Sequence, residues 1–199
     1  MRYRSVLRIV YTCSITGTDP VSIMSRFLDM QEVQKRLDYL KRSGMLTEDL
    51  EMTKKGRSAL KVVLVGGAFD VIHHGHMHAL NSAKMMGDVL VVVVASDNTA
   101  KTRKIKVIHN ALIRRSLVSA IKVVDACVVG SDSGDIFVTV NTVKPDIIAL
   151  GYDQAHRVAD IEKGCRRLGL DGIRVVRLES PVPDVASSSL KNDISWDML

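Results

Sequence analysis

The 199-residue sequence has few cysteines and few aromatic residues, and it contains no long apolar run. Its three cysteines, Cys13, Cys127 and Cys165, are odd in number and far apart, so their spacing excludes both a zinc pattern and a disulfide framework. We expect them to be small buried side chains in a reducing compartment. A redox role for one of them has no support in the pattern.

Transmembrane and targeting segments are also missing from the pattern. The longest apolar run, Val89 to Ala95, is far shorter than the roughly 20 residues that span a bilayer, and it fits a buried strand. The start of the chain, Met1 to Arg4, is not followed by an apolar region with a small-residue cleavage site. We therefore expect a cytoplasmic protein with no membrane contact.

The composition is typical of a globular protein, with 46% hydrophobic and 25% charged residues. The net charge of +6 suits either nucleic acid or an enzyme that binds polyphosphates. Residues 1–60 hold 11 Lys and Arg against 7 Asp and Glu, so this smaller part is more basic per residue than the rest.

The first part of the chain, residues 1–58, has helical periodicity and no buried-strand pattern. It predicts three helices, Tyr3 to Cys13, Val21 to Phe27 and Met30 to Ser43, ended by Gly44 and followed by a short hairpin over residues 45–52. This plan resembles a winged-helix domain. Two interpretations stay open: DNA binding through the third helix, and an inherited fold used for homodimerisation or for contact with the rest of the chain.

From residue 61 to 199, apolar strand-like runs alternate with helical stretches, which predicts an α/β domain with a Rossmann-like, doubly wound, five-stranded parallel sheet. The expected strands are Lys61 to Val65, Asp88 to Ala95, Ala126 to Val129, Asp146 to Leu150 and Gly172 to Arg177. The expected helices are Gly75 to Met86, Ala111 to Ile121, Asp135 to Val143, His156 to Leu168 and Ser188 to Asp197. In such a sheet, ligands bind beyond the carboxyl ends of the strands.

The segment that follows the first strand carries the chemistry. Gly66 and Gly67 are expected to form a tight turn, and a helix then begins near His73-His74-Gly75-His76. A helix N-terminus offers backbone N–H groups and a positive dipole end to phosphate oxygens, and Gly75 has no Cβ to block their approach. His73 and His76 lie three residues apart and can donate hydrogen bonds to one polyphosphate.

Nucleotidyl transfer fits this arrangement, because it needs positioning and charge stabilisation and no covalent nucleophile. A metal site on His74 and His78, four residues apart on one helix, is the alternative interpretation. The glutamate of a metalloprotease helix is missing there, so we expect no metal held directly by these histidines.

The segment from Gly67 to His76 matches the pattern G-x-F-D-x-x-H-x-G-H, and the chain thereby resembles the cytidylyltransferase-like nucleotidyltransferase superfamily. The segments 83–88 and 95–97 are similar to its second block, and Arg114 with Val124-Asp125 is similar to its third. The segment from Lys144 to Gln154 looks most like that of archaeal FAD synthases. The likeness covers nearly all of residues 61–195.

The resemblance implies roles for individual residues. His73 and His76 would bind the triphosphate and stabilise the transition state, with Lys101, Arg114 and also Lys104 neutralising phosphate charge. Asp70 would place the acceptor phosphate and a divalent cation such as Mg²⁺. Nucleotide-binding positions would be Gly67, Ala68, Phe69, Gly75, Gly151, Tyr152, Asp153, Ser187, Ser188 and Ser189.

Structural interpretations of the same residues stay open. The lysines and arginines of residues 101–106 can form a solvated loop, and Asp70 can simply hold the turn. Asp153 and the three serines can be helix caps. The sequence also departs from the cytidylyltransferases, because Val182 to Ala186 stands where the family has R-T-x-G-I before its serines.

The resemblance therefore implies an FMN adenylyltransferase that uses ATP and FMN. Two alternatives remain: a CTP-dependent cytidylyltransferase for a small alcohol phosphate such as glycerol 3-phosphate, and a DNA-binding regulator that senses a nucleotide.

Overall fold

The computed structural model describes residues 2–103, 105–152, 154 and 157–179. The helices in this part of the chain are α1 (Tyr3–Thr16), α2 (Pro20–Met24), α3 (Met30–Arg42), α4 (Lys54–Ser58), α5 (His74–Lys84), α6 (Asp97–Thr102), α7 (Ala111–Ser119), α8 (Ile136–Val143) and α9 (Val158–Arg167). The strands are β1 (Val62–Gly67), β2 (Val89–Val94), β3 (Ala126–Val129), β4 (Ile147–Leu150) and β5 (Arg174–Arg177).

The five strands form one parallel sheet in the order β3-β2-β1-β4-β5, which confirms the predicted fold class. The strands are rich in Val and Ile and are mostly buried, as expected for a sheet that helices cover on both faces. The chain moves outward from β1 through β2 to β3 and then returns to β4 on the other side of β1. In sheets of this kind, ligands bind beyond the carboxyl ends of the strands at such a reversal, here between β1 and β4.

Each face of the sheet has its own core. On one face, Leu80 and Ala83 of α5 and Val118 of α7 pack against alternate residues of the central strands. On the other face, α8 and α9 cover β4 and β5, and α1 joins the same hydrophobic cluster with Val6 and Val10. The N-terminal segment and the sheet therefore share a core through α1.

The N-terminal segment, residues 2–60, contains the three predicted helices, which begin within one residue of the predicted positions, although α1 extends to Thr16 and α2 already ends at Met24. Asp19 accepts hydrogen bonds from Val21 N and Ser22 N at the start of α2, and Asp29 accepts one from Glu32 N at the start of α3. Gly44 follows α3 with a φ of 70°, the left-handed conformation that favours glycine. The expected hairpin is reduced to one antiparallel bridge, between Leu46 and Met52.

Three aspartates at the amino end of the sheet bind this segment. Each aspartate directly precedes a strand and pairs with an arginine. Each also accepts a hydrogen bond from a backbone N–H in the neighbouring strand or in the residue just before it. The pairs are Arg4–Asp88 at 2.7 Å, Arg8–Asp125 at 2.6 Å and Arg57–Asp146 at 2.9 Å. The N–H donors are those of Lys61, Leu90 and Val62. The amino end of the sheet thus compensates its charges internally.

A buried tyrosine adds to this attachment. The hydroxyl of Tyr11 donates to the carbonyl of Val143 at 2.7 Å, and the guanidinium of Arg57 lies 5.5 Å from the Tyr11 ring centre. Burial raises the pKa of Tyr11 to about 12, although the nearby Arg57 acts in the opposite direction.

Two short helices differ from the sequence prediction. The segment between the predicted hairpin and the first predicted strand forms α4, where Gly56 is so close to the carbonyl of Met45 that a Cβ would lie 2.1 Å from its oxygen. The stretch after β2, expected to be a loop, begins with α6, which Ser96 caps by accepting from Thr99 N.

The three cysteines are unpaired and buried, as predicted, and burial raises the pKa of the Cys127 thiol to about 11. Among the described residues, none of the helices combines the length and apolar character that a bilayer crossing requires.

Candidate active site

The candidate site lies at the carboxyl end of the sheet, where β1 and β4 finish side by side. Gly66 and Gly67 do not form the expected tight turn: both belong to β1 and pair with Val93 and Val94 of β2. The turn comes after them, at residues 68–73. The side-chain amide of Gln154 donates to the carbonyl of Gly66, which ties the segment after β4 to the end of β1.

The turn after β1 contains a strained residue. Phe69 has a φ of 52°, in the left-handed region that costs a side-chain-bearing residue about 1–2 kcal/mol. Its ring is buried, covers Gly67 and lies 5.1 Å from the ring of His76. A Cβ on Gly67 would lie 2.8 Å from the Phe69 ring, so this position needs glycine because of packing.

Two histidine rings meet at the N-terminus of α5. His73 is the N-cap residue, and its Nδ1 accepts from the backbone N–H of Gly75 at 3.2 Å. The centres of the His73 and His76 rings are 3.9 Å apart. A neutral imidazole that accepts at Nδ1 carries its hydrogen on Nε2, which makes that atom a donor. The structure thus joins two imidazoles and a helix N-terminus, a combination suited to an anion.

Asp70 occupies the same turn, but its carboxylate faces the segment before α7. The side chain is 2% exposed, and its oxygens accept from Ile108 N at 2.7 Å and His109 N at 2.9 Å. The ring Nδ1 of His109 lies 3.3 Å from the same carboxylate. The structure therefore gives Asp70 a holding role in the turn, and its expected contacts with the acceptor phosphate and a cation stay predictions.

Arg114 is fully buried and joins three segments around the turn. Its guanidinium donates to the carbonyl of His109 at 2.9 Å, to the carbonyl of Ala68 at 2.8 Å and to the carboxylate of Asp97 at 2.8 Å. The backbone N–H of Ala111 and then Arg114 hold the pKa of Asp97 below its usual range. This burial favours a positioning role for Arg114 over direct neutralisation of phosphate charge.

The basic residues after β2 lie on the surface. Lys101 is exposed on the last turn of α6, and Arg103 and Lys106 are exposed beyond it. The guanidinium of Arg103 donates to the carbonyl of Gly134 at 3.1 Å, which ties this segment to the loop before α8.

The segment after β4 is fixed by an arginine that the sequence analysis did not identify. One nitrogen of Arg177 donates to the carbonyls of Gly151 at 2.8 Å and Gln154 at 3.0 Å, and it lies 3.4 Å from that of Tyr152. Arg177 comes from the end of β5, so the contact depends on the sheet order and has no local signal. Lys104, Asp153, Ser187, Ser188 and Ser189 lie outside the described residues.

A divalent cation has no protein-built site among the described residues. No group of three or more His, Cys, Asp or Glu side chains converges there. Asp70, the predicted metal-placing residue, directs both carboxylate oxygens to backbone N–H groups. The described residues therefore do not fit a cation held by the protein alone.

Comparison with known proteins gives a consistent family. The sequence model of the Cytidylyltransferase-like family matches residues 64–193. An FAD synthase of Picrophilus torridus is 45% identical over 127 residues, which are 64% of this chain and 90% of that protein. An FAD synthase of Aciduliprofundum boonei is 46% identical over 117 residues, 59% of this chain and 77% of that protein.

A solved structure is also similar. A lipopolysaccharide core biosynthesis protein of Thermoplasma volcanium superimposes with a TM-score of 0.60 and 41% identity, over 62% of this chain and 99% of that one. The part of this chain before residue 64 lies outside the family match.

Proposed function

This chain belongs to the cytidylyltransferase-like family, and we propose that it is an FMN adenylyltransferase, which joins FMN and ATP to give FAD and pyrophosphate. The observation that carries the proposal is the pair of imidazoles, His73 and His76, at the N-terminus of α5 beyond the carboxyl end of β1. The FAD synthase relatives, at 45% and 46% identity, favour the choice of FMN and ATP.

In the proposed reaction, an oxygen of the FMN phosphate attacks the α-phosphorus of ATP. A new P–O bond forms, the bond from the α-phosphorus to the α–β bridging oxygen breaks, and pyrophosphate leaves with that oxygen. Negative charge grows on the leaving group, and His73 and His76 together with the dipole of α5 stabilise it. No covalent intermediate is needed, because alignment of the two phosphates supplies much of the acceleration.

The other site residues take supporting roles in this proposal. Lys101 neutralises phosphate charge from α6, and Gly151 and Tyr152 lie beside the nucleoside, together with Asp153. Gly75 admits the phosphate at the start of α5. The serines at 187–189 are proposed to bind phosphate at the far end of the chain.

The buried residues of the site are assigned the role of holding the turn after β1 in place. Arg114 and Asp70 hold the turn after β1 against the segment before α7, and Arg114 does so through the carbonyl of Ala68. The Phe69 ring packs on Gly67 and lies beside the ring of His76. A divalent cation such as Mg²⁺ would arrive on the phosphates of ATP, where it supplies charge neutralisation.

The proposal is tested by incubating the purified chain with FMN, ATP and Mg²⁺ and separating the products by chromatography. We expect FAD and pyrophosphate in equal amounts. A parallel reaction with CTP and glycerol 3-phosphate tests the cytidylyltransferase alternative. If only the CTP reaction gives product, the chain is a cytidylyltransferase instead. If no FAD forms, the proposed FMN adenylyltransferase activity is rejected.

The interpretation of residues 1–58 as a separate winged-helix-like domain stays a proposal, as do DNA binding and homodimerisation through it. On α3, the helix that would bind DNA in this interpretation, Gln34 donates to Asp38, and Lys41 forms an ion pair with Glu48 at 3.3 Å. Binding of the whole chain to duplex DNA at low salt, lost as salt rises, would support the DNA interpretation.

A further inference from the structure

His109, just before α7, is held by contacts that come from two distant segments. Its backbone N–H donates to Asp70 at 2.9 Å, and its carbonyl accepts from Arg114 at 2.9 Å. Its ring Nδ1 lies 3.3 Å from the carboxylate of Asp70. Both the backbone and the ring of His109 are therefore held by hydrogen bonds, although the residue lies in a loop.

The contact with Asp70 sets the direction of the His109 ring. A carboxylate accepts hydrogen bonds, so the ring donates to it from Nδ1 and presents Nε2 on its other side. A second-layer carboxylate that orients an imidazole in this way is a common device of binding sites. In its protonated form, the Nε2–H is a charge-assisted donor to a phosphate oxygen.

The exposure of the two side chains shows which of them a ligand can reach. Asp70 is 2% exposed, whereas His109 is 39% exposed. Asp70 also lies only three residues before His73, in the turn that leads to the helix N-terminus. His109 thereby contacts the turn that leads to the histidine pair of α5, and in the sequence it follows the basic segment of Lys101 and Lys106.

We propose that His109 is a further substrate-binding residue, whose Nε2 binds a phosphate group of ATP or FMN while Asp70 positions the ring. This inference rests on the proposed function, because it takes the carboxyl end of the sheet as the place where both phosphates meet. The two substrates share the phosphate chemistry, and the experiment below separates them.

The test compares His109→Asn with the wild-type chain by titration calorimetry, with ATP and FMN added separately in the presence of Mg²⁺. The Asn amide still reaches Asp70 but ends short of the position of Nε2. We expect the affinity for one substrate to fall by roughly tenfold or more, with the melting temperature unchanged. His109→Gln, whose amide reaches further, should recover part of the affinity.

A matched control is His78→Asn on α5, where the His78 ring contacts the hydroxyl of Ser82 at 3.3 Å. This substitution should leave both affinities unchanged. Weaker ATP binding assigns His109 to the nucleotide, and weaker FMN binding assigns it to the acceptor. Unchanged affinities for both in His109→Asn, or in His109→Ala if the first variant does not fold, would overturn the inference.

FAD formation by the wild-type chain is measured alongside. If ATP binds but no FAD forms, the proposed function fails, while the ATP affinity of His109→Asn still decides the inference. If neither substrate binds the wild-type chain, both are overturned.

Discussion

At the amino end of the sheet, Asp88, Asp125 and Asp146 each bind an arginine and a backbone N–H, whereas the carboxyl end gathers imidazoles at a helix N-terminus. The first arrangement compensates its charge within the chain. The second presents hydrogen-bond donors at a strained turn, where Phe69 has a φ of 52°. Compensated charge contributes to stability, and strain with directed donors is typical of functional sites. We infer that the two ends divide stability and chemistry between them.

The largest effect should come from His76→Ala, at the carboxyl end. Loss of a transition-state donor should lower the rate of FAD formation by about 100-fold or more. The free energy of unfolding should change little by comparison. Initial rates measured by chromatography check this, with His78→Ala on the same helix as the control. A rate within a few-fold of wild type would reject the role assigned to His76.

The opposite outcome is expected for Asp125→Ala, at the amino end. Asp125 binds Arg8, Lys84 and the N–H of Leu90, and its side chain is 16% exposed. Its loss should lower the free energy of unfolding by about 2–3 kcal/mol, because partly buried cations lose their partner. Urea unfolding measures this, and Asp171→Ala in an exposed loop is the control. A large fall in kcat for the folded Asp125→Ala variant would contradict the inference that the amino end of the sheet serves stability and the carboxyl end serves chemistry.

A smaller effect is expected for Gly67→Ala beneath the histidines. The new Cβ would lie 2.8 Å from the Phe69 ring, so the ring must shift. We expect a loss of about 1–3 kcal/mol in the free energy of unfolding, with reduced activity. Gly66→Ala is a matched control, since its nearest neighbour, the carbonyl oxygen of Val93, would be 3.9 Å away. Equal unfolding midpoints for the two variants would show that the Phe69 packing does not constrain the turn.

The smallest effect should come from Tyr11→Phe, which removes the hydrogen bond to Val143 and should cost about 1 kcal/mol at pH 8. Burial raises the pKa of Tyr11 from 10.0 to about 12. Between these values the unfolded chain releases a proton that the folded chain keeps, so the stability of the wild-type chain falls as pH rises. The difference between wild type and Tyr11→Phe should therefore shrink above pH 10, as urea unfolding at several pH values would reveal. A difference that stays constant to pH 11 would contradict the burial effect, and Tyr3→Phe at an exposed ring is the control.

Much of the fold could be predicted because its signals are local. The runs of Val and Ile that form β1, β2 and β4 are visible in the sequence, as are the caps Asp19 and Asp29. The helix α6 was missed although Ser96 is a standard capping residue, since the lysines after it favoured a loop.

The candidate site was only partly predictable, for a different reason. The histidine pair follows from spacing within one helix turn. The burial of Arg114 and the contacts of Arg177 and His109 depend on segments more than 20 residues apart, which only the sheet order brings together. Local pattern therefore predicted the turn at the histidine pair and the holding role of Asp70, and could not predict the contacts of Arg114, Arg177 and His109.

The most direct test of the account is a crystal structure with a non-hydrolysable ATP analogue and Mg²⁺. We predict the phosphates within hydrogen-bonding distance of His76 and the N-terminus of α5. Phosphates bound elsewhere, with no contact to the rings of His73 and His76, would contradict it.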